Sequence, residues 1–214
     1  MNIGLRVVGG LLTTALGLLA LTSPSEKAPI SLFNGRSFAG WEGDTVGVWR
    51  IRDGALVGGS VGRLLPHNEF LCTTRPYTNF DLKLNFKLVG TGFVNAGVQV
   101  RSQRAKQPAY EMIGYQADLG AGYWASLYDE SRRNRTLAQP DSNLVKRILR
   151  PNDWNEYRIR CEGRRIRLWL NNQPTVDYVE TDQTLPQTGL IGLQIHGGGR
   201  AEASYKNLVL TELP

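Results

Sequence analysis

The chain has little of what the best-known catalysts are built from. Its 214 residues include only two cysteines, two histidines and two methionines. It has no GxSxG elbow, HExxH pair, Walker loop or CxxC, so serine-hydrolase, zincin, P-loop and thioredoxin-like chemistries have no foothold. The same shortage leaves no zinc site of the usual ligand types. Internal repeats are absent, and no segment sustains the periodicity of an amphipathic helix. Only one long apolar run occurs. What is abundant is glycine (24 residues) and aromatics (five Trp and eight Tyr), in a chain that is 41% hydrophobic. That mixture suits many short strands joined by tight turns.

The apolar run lies at the N-terminus. Arg6 precedes an uncharged stretch from Val7 to Leu21, followed by Thr22, Ser23, Pro24 and Ser25. This is the order of a charged segment, an apolar segment and a cleavage zone, and it predicts a removable signal over residues 1–25 with export to the periplasm or beyond. An uncleaved anchor is the alternative, although about 15 apolar residues fall short of the roughly 20 that span a bilayer. No Cys follows the run, which argues against a lipoprotein anchor, and no second run is long enough to cross a membrane once the signal is cleaved. Export would permit a disulfide between Cys72 and Cys161. Cys161 continues the inward set Tyr157 and Ile159, whereas Cys72 is expected on the opposite face from its neighbour Leu71, and the sequence leaves their pairing open.

The formal charge is +6, with basic clusters at Arg132, Arg133 and Arg135, at Lys146, Arg147 and Arg150, and at Arg158, Arg160, Arg164, Arg165 and Arg167. The last cluster alternates with Tyr157, Ile159, Ile166 and Leu168, the pattern of a solvated hairpin face. With an export signal, a nucleic-acid groove is rejected. Oligomeric state is not legible.

Past the signal, residues 30–214 read as one all-β domain, a two-sheet antiparallel sandwich of the jelly-roll type. Asp53-Gly54 joins Val48–Arg52 to Ala55–Gly58 as a hairpin, and Glu162-Gly163-Arg164 joins Tyr157–Cys161 to 165–171. Phe80, Leu82, Leu84, Phe86 and Leu88 alternate with Asp81, Lys83, Asn85 and Lys87, a half-buried strand. Further strands are expected at 96–101, 115–118, 124–128, 189–196 and 201–213. The stretch 132–151 has weak periodicity and is expected to be a long loop over one sheet.

Side-chain alternation also sorts polar residues onto faces. Val98 and Val100 point one way, Asn95, Gly97, Gln99 and Arg101 the other; Gln116 and Asp118 oppose Tyr115 and Ala117; Trp124, Ser126 and Tyr128 oppose Ala125 and Leu127; Gln194 and His196 oppose Ile191, Leu193 and Ile195. Solvated strand faces favour Lys, Glu and Thr. These collect amides, a guanidinium, carboxylates and aromatics instead, groups that make paired hydrogen bonds to adjacent hydroxyls and stack on sugar rings. Leu127-Tyr128-Asp129-Glu130-Ser131-Arg132-Arg133 adds two carboxylates and two guanidinium groups at a strand end. Asp118, Asp129, Glu130 and His196 are types that hold a hard cation, at a spacing that is not diagnostic, so no cofactor is expected and a divalent cation stays an open alternative.

These faces carry a resemblance. Leu32-Phe33-Asn34-Gly35 with Trp41, Trp49 through Asp53-Gly54-Ala55-Leu56, Asn95-Ala96-Gly97-Val98 with Arg101, Gly114 to Asp118, Trp154-Asn155 and Ile191 to Gly197 occur in the order of the 3-keto-disaccharide hydrolase domain family, which the chain resembles from about residue 30 to 214. The resemblance implies a concanavalin-A-like jelly roll acting on glycosides oxidised to a ketone at C3. One motif departs: many members carry Glu-x-Gln where this chain has Gln116-Ala117-Asp118. The implied chemistry is removal of the C2 proton, made acidic by the ketone, loss of the C1 oxygen, and addition of water. On this reading His196 or Asp118 is the base, Arg101 with Gln99 or Gln116 holds the enolate oxygen, and Glu130 or Tyr128 protonates the leaving group. Asn95, Trp124, Arg132, Arg133 and Gln194 bind substrate, with the two arginines orienting hydroxyls or holding Glu130. The competing expectations are a non-catalytic carbohydrate-binding module and a structural surface domain. The enzyme requires that His196, Asp118 and Glu130 converge on one pocket.

Overall fold

The computed structural model describes Met1, Gly4 and residues 27–214. The expected signal segment therefore lies outside the described residues. Fifteen strands and one short helix are present among the described residues: β1 (Ile30–Ser31), β2 (Trp41–Glu42), β3 (Trp49–Arg52), β4 (Ala55–Gly59), β5 (Glu69–Thr73), β6 (Phe80–Gly92), β7 (Asn95–Arg104), β8 (Met112–Gly120), β9 (Leu127–Glu130), β10 (Arg135–Ala138), α1 (Ser142–Ile148), β11 (Asn155–Glu162), β12 (Arg165–Leu170), β13 (Gln173–Val179), β14 (Leu190–Ile195) and β15 (Gly199–Glu212).

The strands form two antiparallel sheets. An eight-stranded sheet runs β13-β12-β11-β6-β15-β4-β3, with β1 on the edge of β15 beyond β4, and a seven-stranded sheet runs β10-β9-β8-β7-β14-β5-β2. The turns follow from local chemistry. Asp53 (φ 52°) and Gly54 (φ 70°) join β3 to β4, and Asn171 (φ 47°) and Asn172 (φ 65°) join β12 to β13. Both are two-residue turns with positive φ throughout, the geometry that matches the twist of paired strands and that Asn, Asp and Gly tolerate.

The period-2 pattern buries one side of each sheet against the other. Leu82, Leu84 and Phe86 from β6, Tyr157, Ile159 and Cys161 from β11, and Tyr205 from β15 meet Ala96, Val98 and Val100 from β7 with Ile191, Leu193 and Ile195 from β14. Each fully buried large apolar side chain in this layer contributes about 1.5–3 kcal/mol. Tyr205 adds a polar tie: its hydroxyl donates to the carbonyls of Gly97 (3.1 Å) and Gln194 (2.7 Å), joining the eight-stranded sheet to the two central strands of the other. Both cysteines are buried and unbonded. Cys161 lies between the sheets, whereas Cys72 packs with Phe70 and Met112 in a separate small cluster.

Two expectations are corrected. Residues 132–151 are not one long loop, since they hold β10 and the seven-residue α1, capped by Asp141, whose carboxylate accepts from the Asn143 N–H. Residues 124 and 125 are a turn rather than strand, with Ala125 at φ 56°, and Ser126 follows it outside any strand, so β9 starts only at Leu127. No described helix is long and apolar enough to cross a membrane.

Candidate functional site

The outer face of the seven-stranded sheet carries a set of polar side chains that are sheltered from water. Gln99, Gln116, Asp118, Asn95 and Gln194 are all buried. Strand register places Gln116 between Gln99 and Tyr128, and Gly97 between Asp118 and Gln194. Gly97 is needed there, because a Cβ at this position would lie 2.7 Å from the Gln116 side chain. With that space open, an amide relay crosses the face. Ser102 Oγ donates to Gln99 Oε1 (2.6 Å), Gln99 Nε2 to Gln116 Oε1 (2.9 Å), and Gln116 Nε2 to Asp118 Oδ1 (2.8 Å). Each amide is oriented by the one before it, so the relay ends by presenting a donor to one carboxyl oxygen.

Asp118, Glu130 and His196 converge on a single pocket of about 100 Å³, which Asn95, Gln116 and Tyr128 also line. No Arg or Lys lines it. Without a cation, burial dominates. It pushes the Asp118 carboxyl up to about 8, with the Glu130 charge adding to the rise and the Gln116 bond opposing it. Burial, followed by the charge of Glu111, pushes Glu130 up to about 7, while the nearby Gln194 amide and the Ser131 N–H pull the other way. Gln194 completes no hydrogen bond at either its oxygen or its nitrogen, although its side chain is fully buried. His196 sets its ring by a 2.7 Å contact between Nδ1 and the Gly197 carbonyl. A carbonyl only accepts, so Nδ1 carries the proton and Nε2 of the neutral ring is a free acceptor. Tyr157, beneath β8, points its hydroxyl at the Asp118 carbonyl (3.5 Å).

Several expected site residues stand elsewhere. Arg101 is not in this pocket. Register slips between Val100 and Gln103, and Arg101 takes φ 50°, so the alternation inverts at a bulge. Its buried guanidinium donates to the Thr78 carbonyl (2.7 Å), the Gly163 carbonyl (2.6 Å), Gln187 Oε1 (2.7 Å) and Asn79 Oδ1 (3.1 Å), clamping three turns at the sandwich edge. Arg132 and Arg133 do not hold Glu130. Asp129, buried on the inward side of β9, takes Arg132 Nε at 2.9 and 3.1 Å and also Arg133 Nε. Arg133 Nη2 continues to Glu180 Oε2 (2.6 Å), which Tyr115 (2.8 Å) and Tyr178 (3.1 Å) also reach. Burial alone would raise the Glu180 carboxyl, but Arg133, the Asp182 N–H and the two tyrosines outweigh it and hold it at about 2. Trp124 lies in an adjacent cleft, its ring 6.2 Å from Phe86.

Two pocket residues were not singled out from the sequence. Phe93 meets the His196 ring edge-on at 4.8 Å, and Tyr123 stands perpendicular to Tyr128 at 6.5 Å. Both are large aromatics left partly exposed on glycine-flanked turns, a signal present in the sequence beside Gly92 and Gly122. Among the described residues, no cluster of three or more His, Cys, Asp or Glu is arranged to hold a metal ion.

The sequence profile of the 3-keto-alpha-glucoside-1,2-lyase-like domain matches residues 28–211. The chain belongs to this family. A search of curated protein sequences finds no match. Among solved structures, a candidate glycosyl hydrolase from Parabacteroides distasonis ATCC 8503 superposes with a TM-score of 0.64 at 20% identity, covering 87% of this chain and 94% of the other. The carbohydrate binding module CBM66 from Bacillus subtilis gives 0.60 at 17% identity over 79% and 93%. The exoplasmic/lumenal domain of VIP36, bound to Ca2+ and Man3GlcNAc, gives 0.61 at 13% identity over 85% and 87%. These likenesses show the shared sandwich fold. Family and fold together suggest a glycosyl-hydrolase-like or carbohydrate-binding domain.

Proposed function

We propose that the chain cleaves 3-keto-glycosides by elimination across C2 and C1, followed by hydration. The observation that carries this reading is the convergence of Asp118, Glu130 and His196 on one pocket without a cationic partner. A module that only bound sugar would have no use for two carboxyls held near neutrality. Such values suit groups that exchange protons at physiological pH.

His196 Nε2 takes the C2 proton. The electron pair moves into the C2–C3 bond and the ketone oxygen becomes an enolate oxygen. Asp118, protonated below about pH 8, donates to that oxygen from the carboxyl atom that the Gln116 amide leaves free, and the Asn95 amide aids it. The pair then returns to form the C1–C2 double bond as the C1–O bond breaks. Glu130, beside Tyr128, supplies the proton to the departing oxygen. Water adds to the unsaturated ketone, its oxygen to C1 and a proton to C2, so the net change is hydrolysis. The reaction needs none of the two-carboxylate spacing of an ordinary glycosidase. The chain is further proposed to act after export, on the strength of its N-terminal sequence; N-terminal sequencing of the protein recovered outside the cytoplasm tests that point.

The deciding experiment is NMR of the purified domain with a 3-keto-glucoside in heavy water. Aglycone release with deuterium at C2 is expected. Release without exchange overturns the enolate route, and binding without release favours the binding-module reading, for which the likeness to a carbohydrate binding module is the supporting observation.

A further inference from the structure

A second cleft adjoins the polar pocket. It has a volume of about 220 Å³ and lies between the 122–126 turn and α1. Tyr123 lines both cavities and forms their common wall. The two differ in character. The first is walled by carboxyls, amides and an imidazole, the second mainly by Tyr123, Trp124, Pro140 and Val145, with Gln139 and Ser142 among the polar groups at its margin. The cleft is built by local structure. Positive φ at Ala125 ends the turn so that Trp124 folds back near Phe86, and α1 buries Val145 and half-buries Leu144 and Ile148 while Ser142, Asn143, Lys146 and Arg147 remain exposed.

We infer that this cleft is the subsite for the leaving group and that it selects an aromatic aglycone over a second sugar. The inference rests on the elimination reading of the polar pocket, which places the oxidised sugar there. The group attached at C1 then has to leave the polar pocket, and the cleft on the far side of Tyr123 is the adjoining space. A pyranose there would need partners for three or four hydroxyls. Besides the Tyr123 hydroxyl and the Trp124 indole N–H, the side-chain partners on the lining are Gln139, Ser142 and Lys146, all three exposed to water, and Ser126, whose hydroxyl already donates to the Tyr123 carbonyl (2.7 Å). A flat aromatic ring needs few partners, buries its faces on Tyr123 and Trp124, and hydrogen-bonds only at its edge.

The test compares binding and turnover of phenyl and methyl 3-keto-glucosides by the wild type and by Ser142→Trp, which fills the cleft from an exposed helix position outside the polar pocket. Binding of each glucoside is measured calorimetrically. The wild type is expected to bind the phenyl glucoside about tenfold more tightly, and Ser142→Trp to lower that preference below about twofold while leaving the methyl glucoside unchanged. Comparing one ratio in two proteins cancels the better leaving ability of phenol. Equal affinity in the wild type, a preference that survives Ser142→Trp, or no measurable binding of either glucoside overturns the inference. A 3-keto-disaccharide that outbinds the phenyl glucoside, and loses its advantage in Ser142→Trp, identifies the occupant as a sugar and overturns the aromatic assignment. A wild-type phenyl preference that Ser142→Trp abolishes, without turnover of any glycoside, would sink the elimination reading and leave the aromatic cleft standing.

Discussion

The two outer faces of the sandwich use the same alternation for opposite ends. On the eight-stranded sheet, β6, β11, β12 and β13 present Asp81, Arg158, Arg160, Arg165, Arg167 and Asp177, and these charges pair across strands. Arg158 and Arg160 meet Asp81, Arg167 meets Glu162, and Arg165 meets Asp177. Arg158 also lies 4.6 Å over the Trp169 ring. At the pocket on the seven-stranded sheet, the amides Asn95 and Gln116 stand around the carboxyls of Asp118 and Glu130, with no Arg or Lys on the wall. Opposite charges in water settle into pairs that lower each other's free energy. Carboxyls buried among amides keep their protons near neutrality and hold them ready for transfer. Charged side chains alone do not distinguish a site from a surface, whereas the absence of compensating charge around a buried carboxyl does.

The largest expected effect sharpens that contrast. Asp118→Asn and Glu130→Gln are each expected to lower kcat about 10³-fold, near 4 kcal/mol of transition-state stabilisation, while Asp81→Asn on the paired face leaves kcat within about twofold. Steady-state kinetics on a 3-keto-glucoside reads all three. On the proposed route both carboxyls act protonated, so kcat/KM should fall as pH rises above about 7 to 8, and the limb near 7 should vanish in Glu130→Gln. Stability carries the same sign. The folded Asp118 value lies above its unfolded value near 3.9, so between about pH 4 and 8 the native state binds the extra proton and stability declines as pH rises. Asp118→Asn removes that decline, so urea denaturation should find it more stable than wild type at pH 9 and closer to wild type at pH 5.

The next effect concerns a buried place where charges are paired. Arg133 joins Asp129 of β9 to Glu180, which follows β13, so it holds the rim of one sheet to the other. Arg133→Ala leaves two buried carboxylates short of a partner and is expected to cost about 3 kcal/mol in urea denaturation. Glu180 lies below its unfolded value, so its contribution is complete above about pH 4.5 and is lost as pH falls toward 2. Acid unfolding of the wild type should therefore fall in that window, and Arg133→Ala should unfold at higher pH. Tyr205→Phe, which removes the donor shared by the Gly97 and Gln194 carbonyls, is expected to cost about 1 kcal/mol and to lower kcat, because both carbonyls belong to the strands that carry the site.

Much of this was written in local sequence. The Phe80–Leu88 alternation, the Asp53-Gly54 hairpin and the outward set Asn95, Gln99, Gln116, Asp118 and Gln194 follow from period and turn chemistry, and the structure has all of them. What failed did so where period 2 breaks. Arg101 sits at a bulge, which turned an expected site cation into an edge clamp. Trp124 sits in a turn, which moved it to the next cleft. Arg132 and Arg133 lie past the end of β9, where strand alternation no longer assigns direction, and Glu180, the second partner of Arg133, is 47 residues from it in the chain, beyond any local pattern. Seven residues are too few for α1 to show a helical period.

The smallest expected effect tests the comparison from its bland side. Arg165 and Asp177 make a two-point pair across β12 and β13, with Nε and Nη2 on the two carboxyl oxygens, and the partner holds the Asp177 carboxyl below its ordinary value. By geometry this is as good a pair as any in the protein. Both side chains are nevertheless half exposed, at 50% and 51%. Water and salt screen the attraction, and ordering two long side chains offsets what remains. Arg165→Ala is therefore expected to leave the thermal midpoint and kcat unchanged within error, at low and at high salt. A clear loss of stability that salt does not abolish would mean that pairing geometry, rather than burial, sets the worth of charge on these faces, and the site argument from uncompensated burial would lose its footing.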